Sequence, residues 1–370
     1  MNRRFDGGTS GAAVADIVAA VVRPEILALT KYAVAKAGGL IKLDAMESPF
    51  PLPEPVRAKV AAAVAAVPVN RYPDGAADAV KVALRHAFDL PPAAGLILGN
   101  GSDELIALIT MALARPGATM IAPEPSFEMY RMNAIFSGMR YAGVPLRPDF
   151  SLDAEAMEAA VTHARPALVY LAYPNNPTGN LFDTSAMERI LRAAPGLVVV
   201  DEAYHAFAGA SFLPRLHEFP NLLVLRTVSK IGMAGLRLGY AVAAPEWIAE
   251  FDKVRQPYNL NALTQAVAPV LLAEQAMLAT WATQLISERA RLEAAIARLP
   301  GVVVFPTRTN FVLARVPDAP RWFDALRTAG ILVKNRHGVH PLLEHCLRIT
   351  VGTPEENQLM LAALREALQD

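Results

Sequence analysis

The chain has 370 residues, 53% of them hydrophobic and 19% charged, and its 35 basic and 35 acidic side chains leave no formal net charge. A chain of this length and polarity buries a large core in more than one lobe and is too apolar to stay disordered. It has no concentrated Lys/Arg tract, so nucleic acid as a partner is disfavoured, although folding could still assemble a local basic patch.

In chain order, Arg3 and Arg4 precede an apolar-leaning stretch at residues 11–22 that Asp16 interrupts. A secretory leader needs a cleaner apolar block and a membrane span needs about 18 continuous apolar residues; the sequence has neither. A cytoplasmic protein is therefore expected, with residues 1–47 as an N-terminal leader and arm and the Pro-rich residues 48–55 as the way into the next unit. Short apolar runs follow at residues 120–122, 168–173, 197–200, 222–225 and 238–243. Apolar runs without alternation indicate strands covered on both faces, as in a parallel sheet between helical layers. Helical periodicity fills most intervals, as at residues 183–194, and the middle runs are spaced by about one strand–helix–strand unit. The last two runs lie too close together for an intervening helix, so an antiparallel strand is expected there.

Residues 262–299 lack glycine and read as one long helix that stops at Pro300-Gly301. Beyond it, strands are expected at 302–305, 309–316, 331–334 and 347–351, with helices at 319–329 and 354–368. The fold class is α/β: a large domain over residues 48–265 with a mostly parallel sheet sandwiched by helices, and a smaller α+β domain over 266–370. The single cysteine, Cys346, cannot form an intramolecular disulfide and is given no chemical role. No metal site is assigned.

Open α/β sheets bind ligands at the carboxyl ends of their strands. Three apolar runs end there in Asn175-Asn176-Pro177-Thr178-Gly179, Asp201-Glu202-Ala203-Tyr204 and Val228-Ser229-Lys230, and Arg237 follows. Singly, each has an ordinary explanation as a turn, a helix cap, a solvated loop or a surface cation. Together they bring an amide, a carboxylate, an amine and a guanidinium to one rim. A lysine that forms a Schiff base needs a lowered pKa, and a pyridine ring that withdraws electrons needs a carboxylate at its nitrogen. A phosphate handle needs hydroxyls, backbone amides and an arginine, which Thr227, Ser229 and Arg237 can supply. The turn Gly99-Asn100-Gly101-Ser102-Asp103-Glu104 opens a helical pattern, and such a helix N-terminus suits an anion. Tyr204 and Asn176 could bond a ring hydroxyl, and Phe127 could stack on a ring.

With the segments GNGSDE, PNNPTG, VVVDEAY, LRTVSK and AGLRLGY in this order, the chain resembles the fold-type I aminotransferases. From about Ile41 to the C-terminus it is most similar to their histidinol-phosphate branch. That resemblance implies pyridoxal 5'-phosphate as cofactor, with Lys230 as Schiff-base lysine and proton shuttle. It implies Asp201 at the pyridinium nitrogen, Asn176 and Tyr204 at the ring oxygen, and Phe127 against the ring. Gly101, Ser102, Asp103, Thr227, Ser229 and Arg237 would surround the phosphate. Tyr72 in Asn70-Arg71-Tyr72-Pro73 would reach the partner subunit's site, which implies a homodimer with shared sites. Arg348, with Asn176 and Tyr72, would meet small-molecule substrates: histidinol phosphate, and 2-oxoglutarate or glutamate.

Aromatic aminotransferases and amino-acid phosphate decarboxylases of the same fold share every cofactor residue and remain alternatives. A cofactor-binding regulatory module without turnover would need an attached DNA-binding domain, for which the leader leaves no room. Two positions depart from the pattern. Met46 stands where an asparagine is usual, so a polar contact is expected to be lost or replaced, and the interval from Lys230 to Arg237 is one residue shorter than in many relatives.

Overall fold

The computed structural model describes residues 10–31 and 35–368; the start of the expected leader, residues 1–9, lies outside the described residues. The stretch read as an apolar-leaning leader forms a helix, Ser10–Val21, with Val14, Ile17, Val18 and Val21 exposed. The first strand, β1 (Ile41–Lys42), follows it.

The large sheet contains β2 (Gly95–Asn100), β3 (Thr119–Glu124), β4 (Arg140–Pro145), β5 (Leu168–Ala172), β6 (Leu197–Asp201), β7 (Leu222–Thr227) and β8 (Leu238–Ala243) in the order β2-β8-β7-β6-β5-β3-β4. Five of these correspond to the apolar runs. β2 and β4 were not expected. In β2 the apolar residues Leu96, Ile97 and Leu98 are confined between Gly95 and Gly99, and β4 is a partly exposed edge strand that contains Gly143 and Pro145. Edge strands tolerate such residues because one side pairs with water.

Side chains alternate across the sheet as the strand period requires. Val198, Val200, Leu222 and Val224 enter the core beneath helices Ala154–Ala164 and Thr184–Ala193, while Leu197, Val199, Leu223 and Leu225 enter the core beneath Ser102–Leu113 and Pro245–Asp252. β8 is the one antiparallel member, as expected from its closeness to β7. Its amino end therefore lies on the rim where the other strands have their carboxyl ends, with Thr227 paired to Gly239 and Asn100 to Leu238.

The expected single helix over 262–299 is two helices, Ala262–Leu272 and Gln275–Ile296, meeting at 80°. Ala273 and Glu274 donate their N–H groups back to Pro269 and Leu271 and close the first helix. The second then runs from the large core at Leu278 and Trp281 to a separate core at Leu285, Leu292 and Ile296. Leu271 and Leu272 before the bend and Leu278 and Trp281 after it are all buried, and no glycine marks the break. Among the described residues no single helix is long and apolar enough to cross a membrane; this bent pair passes by length and composition, yet Val267, Leu271 and Leu272 sit in the large core.

The second sheet holds β9 (Val303–Phe305), β10 (Phe311–Arg315), β12 (Lys334–Asn335) and β13 (Cys346–Thr350) in the antiparallel order β12-β13-β10-β9. The run expected as one strand at 331–334 is divided: β11 (Ile331–Leu332) pairs in parallel with β1, and β12 turns to join β13. Leu43 and Met46, beside β1, pack into the core under this sheet with Trp322 and Phe311.

At the end of β6, Glu202 is fully buried and accepts two hydrogen bonds from Arg226, at 2.9 and 2.8 Å, together with those of Ser211 and the Phe212 N–H. Breaking a buried pair strands the remaining charge, so Arg226→Ala is expected to cost roughly 3–5 kcal/mol by chemical denaturation. A loss near the ~1 kcal/mol of an exposed pair would show that Glu202 does not depend on Arg226.

Candidate active site

The carboxyl-end rim of the large sheet encloses a cavity of about 100 Å³ lined by Ser102, Asp103, Phe127, Asn176, Asp201, Tyr204, Thr227, Ser229, Lys230 and Arg237, with Met46 and Tyr130. It adjoins a second cavity of about 470 Å³ that shares Met46, Asp103, Phe127 and Asn176 and adds Asp44, Lys334, Arg336 and Arg348. Neither Gly101 nor Tyr72 lines either cavity. Tyr72 is 82% exposed and stacks on Tyr258 with ring centroids 4.7 Å apart.

Lys230 sits in the short turn Ser229–Ile231 after β7. Thr227 holds that turn: its hydroxyl accepts the Ser229 N–H at 3.1 Å and lies 2.9 Å from the Ser229 hydroxyl. The Lys230 amine donates to the Ala45 carbonyl at 3.3 Å, and burial, helped by the charge of Arg348, pulls its pKa down to about 8. A near-neutral buried amine is a nucleophile and a proton carrier.

The interval from Lys230 to Arg237 forms two tight turns, Ser229–Ile231 and Ala234–Leu236, and Arg237 takes a left-handed backbone at φ 49° to enter β8. Its guanidinium then faces Asp103 at 3.3 Å and the Ser229 hydroxyl at 3.5 Å. Two glycines permit this closeness. A Cβ on Gly101 would stand 2.4 Å from the Arg237 guanidinium, and one on Gly239 would stand 2.4 Å from the Ser102 amide nitrogen. The helix Ser102–Leu113 has no side-chain cap. Its first-turn N–H groups, the hydroxyls of Ser102, Thr227 and Ser229, and Arg237 thus form a cradle suited to a phosphate.

Asp201 is buried; its carboxylate accepts the Tyr130 hydroxyl at 2.7 Å and the Ala203 N–H at 3.0 Å. Burial raises its pKa from 3.8 to about 6, against the opposing effect of the Tyr130 hydrogen bond. Such a carboxylate lacks a cation and suits a protonated ring nitrogen. Tyr204, also buried, meets Phe311 edge to face at 5.3 Å, and burial pushes its phenol well up.

Arg348 on β13 donates to the Asn176 side-chain oxygen at 2.6 Å and to the Asp44 carbonyl at 2.9 Å, and its guanidinium lies over the Phe311 ring. The Asn176 oxygen is engaged in this way, so the group it offers the cavity is its amide NH₂. Burial, with Arg336 and Arg348 nearby, lowers the pKa of Lys334.

At Met46 the hydrogen bonds are made by the backbone: the N–H donates to the Thr350 hydroxyl at 3.0 Å and the carbonyl accepts from Asn310 at 3.0 Å. Met46 has φ 55°, the left-handed region that asparagine tolerates better than other side chains, which accounts for an asparagine there by conformation.

Sequence reasoning missed Tyr130, Lys334 and Arg336. Tyr130 follows Phe127 by three residues, the spacing that puts two side chains on one helix face, and their rings meet edge to face at 5.6 Å. Lys334 and Arg336 are two apart, the spacing of one strand face.

The aminotransferase class I and II family model matches residues 39–364. The chain belongs to this family. It is 56% identical over 345 residues to the histidinol-phosphate aminotransferase of Chromobacterium violaceum, covering 93% of this chain and 97% of that protein. It is 52% identical to histidinol-phosphate aminotransferase 1 of Burkholderia lata, covering 94% and 98%. Among solved structures, histidinol-phosphate aminotransferase from Sinorhizobium meliloti in complex with pyridoxal-5'-phosphate superposes with a TM-score of 0.85 at 28% identity, covering 94% of this chain and 98% of that one. The aminotransferase fold and the transaminase class are thereby shown.

The pKa shift of Asp201 makes a stability prediction. A carboxylate whose folded pKa is raised binds its proton more tightly in the native state, so it stabilises below the unfolded value of 3.8 and that contribution is lost as pH rises through about 6. Above about pH 6 the cofactor-free protein carries the full penalty, and Asp201→Asn is expected to raise its stability at pH 7 by up to about 3 kcal/mol. Thermal melts of both proteins at pH 4 and pH 7 check this, and a gap that does not widen toward pH 7 refutes it.

Proposed function

We propose that the chain transfers the amino group of L-histidinol phosphate to 2-oxoglutarate, using pyridoxal 5'-phosphate. The observation that supports this most is the meeting of the two cavities: the low-pKa Lys230 faces one, and the other, shared through Met46, Phe127 and Asn176, is rimmed by Lys334, Arg336 and Arg348. A doubly charged phosphate ester and a dicarboxylate both suit such a cationic vestibule. The relatives named above carry this activity in their names.

When bound, the cofactor supplies an aldehyde carbon and an electron-withdrawing ring. The residues around it have separate tasks. The cradle of Ser102, Thr227, Ser229 and Arg237 would hold its phosphate, Phe127 would offer an aromatic face to its ring, and the Asp201 carboxylate would favour a protonated ring nitrogen. Tyr204 and the Asn176 amide would supply donors for its ring oxygen. The Lys230 amine would accept and return the substrate's α-proton, a role in which positioned bases accelerate transfer roughly 100- to 10,000-fold. Arg348 orients the anionic end of the substrate while keeping its own hold on Asn176 and Asp44.

The same reading makes the protein a cytoplasmic homodimer. Tyr72 is exposed beside Val69 and Tyr258, and Val64 and Leu263 are exposed on the neighbouring helices. A second copy covering this face would bring Tyr72 toward the other subunit's phosphate cradle. Tyr72→Phe is then expected to weaken cofactor retention by about tenfold, the worth of one hydrogen bond to a charged group. Light scattering that finds a fully active monomer would remove the dimer from this reading.

The activity is tested by half-reactions. The purified holoenzyme is mixed with histidinol phosphate, phenylalanine or threonine phosphate without an oxo acid, and the cofactor's absorbance is followed. Rapid loss of its aldehyde band with histidinol phosphate alone is expected; equal or faster loss with phenylalanine would assign an aromatic aminotransferase instead. Lys230→Ala is expected to abolish turnover while leaving the circular dichroism spectrum unchanged.

A further inference from the structure

The hairpin from β12 to β13 lies outside the site described above, yet it carries His337, His340, Glu344 and His345 within one turn. The His337 Nδ1 stands 2.9 Å from a Glu344 carboxylate oxygen and also accepts the backbone N–H of His345 at 3.1 Å. These two partners make opposite demands on one atom. The N–H needs a lone pair there, while the carboxylate needs a proton between itself and the ring, and one nitrogen cannot provide both. Close by, the His345 Nδ1 is buried and has no hydrogen-bond partner. The two imidazoles face each other with centroids 4.7 Å apart and planes tilted by 37°.

We propose that His337, Glu344 and His345 form a divalent transition-metal site. One ligand atom from each lies within 4.8 Å of the other two. A zinc ion bonded to nitrogen and oxygen at about 2.0–2.2 Å sets neighbouring tetrahedral ligands about 3.4 Å apart, so small side-chain rotations close the set. The cation satisfies the carboxylate without a proton and gives the buried imidazole nitrogen a partner. Two imidazoles in three donors select zinc, cobalt or nickel over magnesium and calcium.

Three protein ligands leave a coordination position for water, and Glu344 is half exposed, so the ion enters from solvent. His340 lies outside the group of three whose ligand atoms come within 4.8 Å of one another, and its Nδ1 accepts the Leu342 N–H at 3.1 Å. The hairpin connects Lys334 and Arg336 to Arg348, and an ion at its tip braces the two strands that present these cations to the larger cavity.

The test uses tag-free holoenzyme stripped with a chelator, titrated with cobalt(II) while its visible absorption is read, and with zinc by calorimetry. One ion per chain is expected, with zinc displacing the cobalt signal. His345→Ala and Glu344→Gln should each weaken binding at least about 10-fold. His163→Ala, an exposed histidine on the helix Ala154–Ala164, should leave it unchanged. Circular dichroism checks that each variant is folded. The absence of a saturable cobalt signal overturns the proposal, as does stoichiometric binding that persists in a His337→Ala, Glu344→Gln double variant.

Discussion

Two consecutive acidic residues at the end of a fully buried strand set the terms for the rest of this molecule. Strand geometry sends Asp201 and Glu202 to opposite faces of the sheet, and neither face offers water. Glu202 is neutralised by Arg226, which the register of β6 on β7 places beside it. Asp201 receives only a phenol and a backbone N–H. One carboxylate is thereby neutralised within the fold, and the other has no cation beside it among the described residues, which suits a site that takes up a cation.

The same alternation separates Arg226 from Thr227 on the next strand. Arg226 points to the interior pair, and Thr227 braces the turn that carries Lys230. The antiparallel β8 then brings Arg237 to the rim that the parallel strands end on, so one reversal in the sheet completes the cluster of hydroxyls, helix N–H groups and guanidinium there. Close contact at that point depends on Gly101 and Gly239, where any Cβ would meet a guanidinium or a backbone nitrogen.

A second tie joins the two sheets. Arg348 reaches from β13 to Asn176 after β5 and to Asp44 beside β1, linking three distant parts of the chain in one set of hydrogen bonds. The carbonyl of Ala45, which holds the Lys230 amine, belongs to the same N-terminal segment. The Arg348 guanidinium and the Lys230 amine are therefore both hydrogen-bonded to adjacent carbonyls of one short segment, which continues into the left-handed backbone at Met46.

Much of this was legible before any coordinates. Apolar runs ending in Asn176, Asp201 and Lys230 located the buried strands and the rim, because a strand covered on both faces must be apolar along its length and must place its polar residues at its ends. The closeness of the last two runs indicated the reversal at β8. The bend at Ala273–Glu274 was not legible, since each helix it joins buries an apolar face and no glycine separates them, and β2 and β4 were hidden by glycine and by edge exposure. Tyr130, Lys334 and Arg336 were missed because their partners are remote in sequence: a phenol becomes a carboxylate's donor, and two strand cations become a vestibule, only when folding closes the distance. Sequence by itself determined which groups stand at the strand ends, through the local rule that burial demands apolar side chains. Which of those groups share a proton, face a cation or meet across the two sheets was decided by tertiary structure, because electrostatic and hydrogen-bond partners are fixed by distance in space.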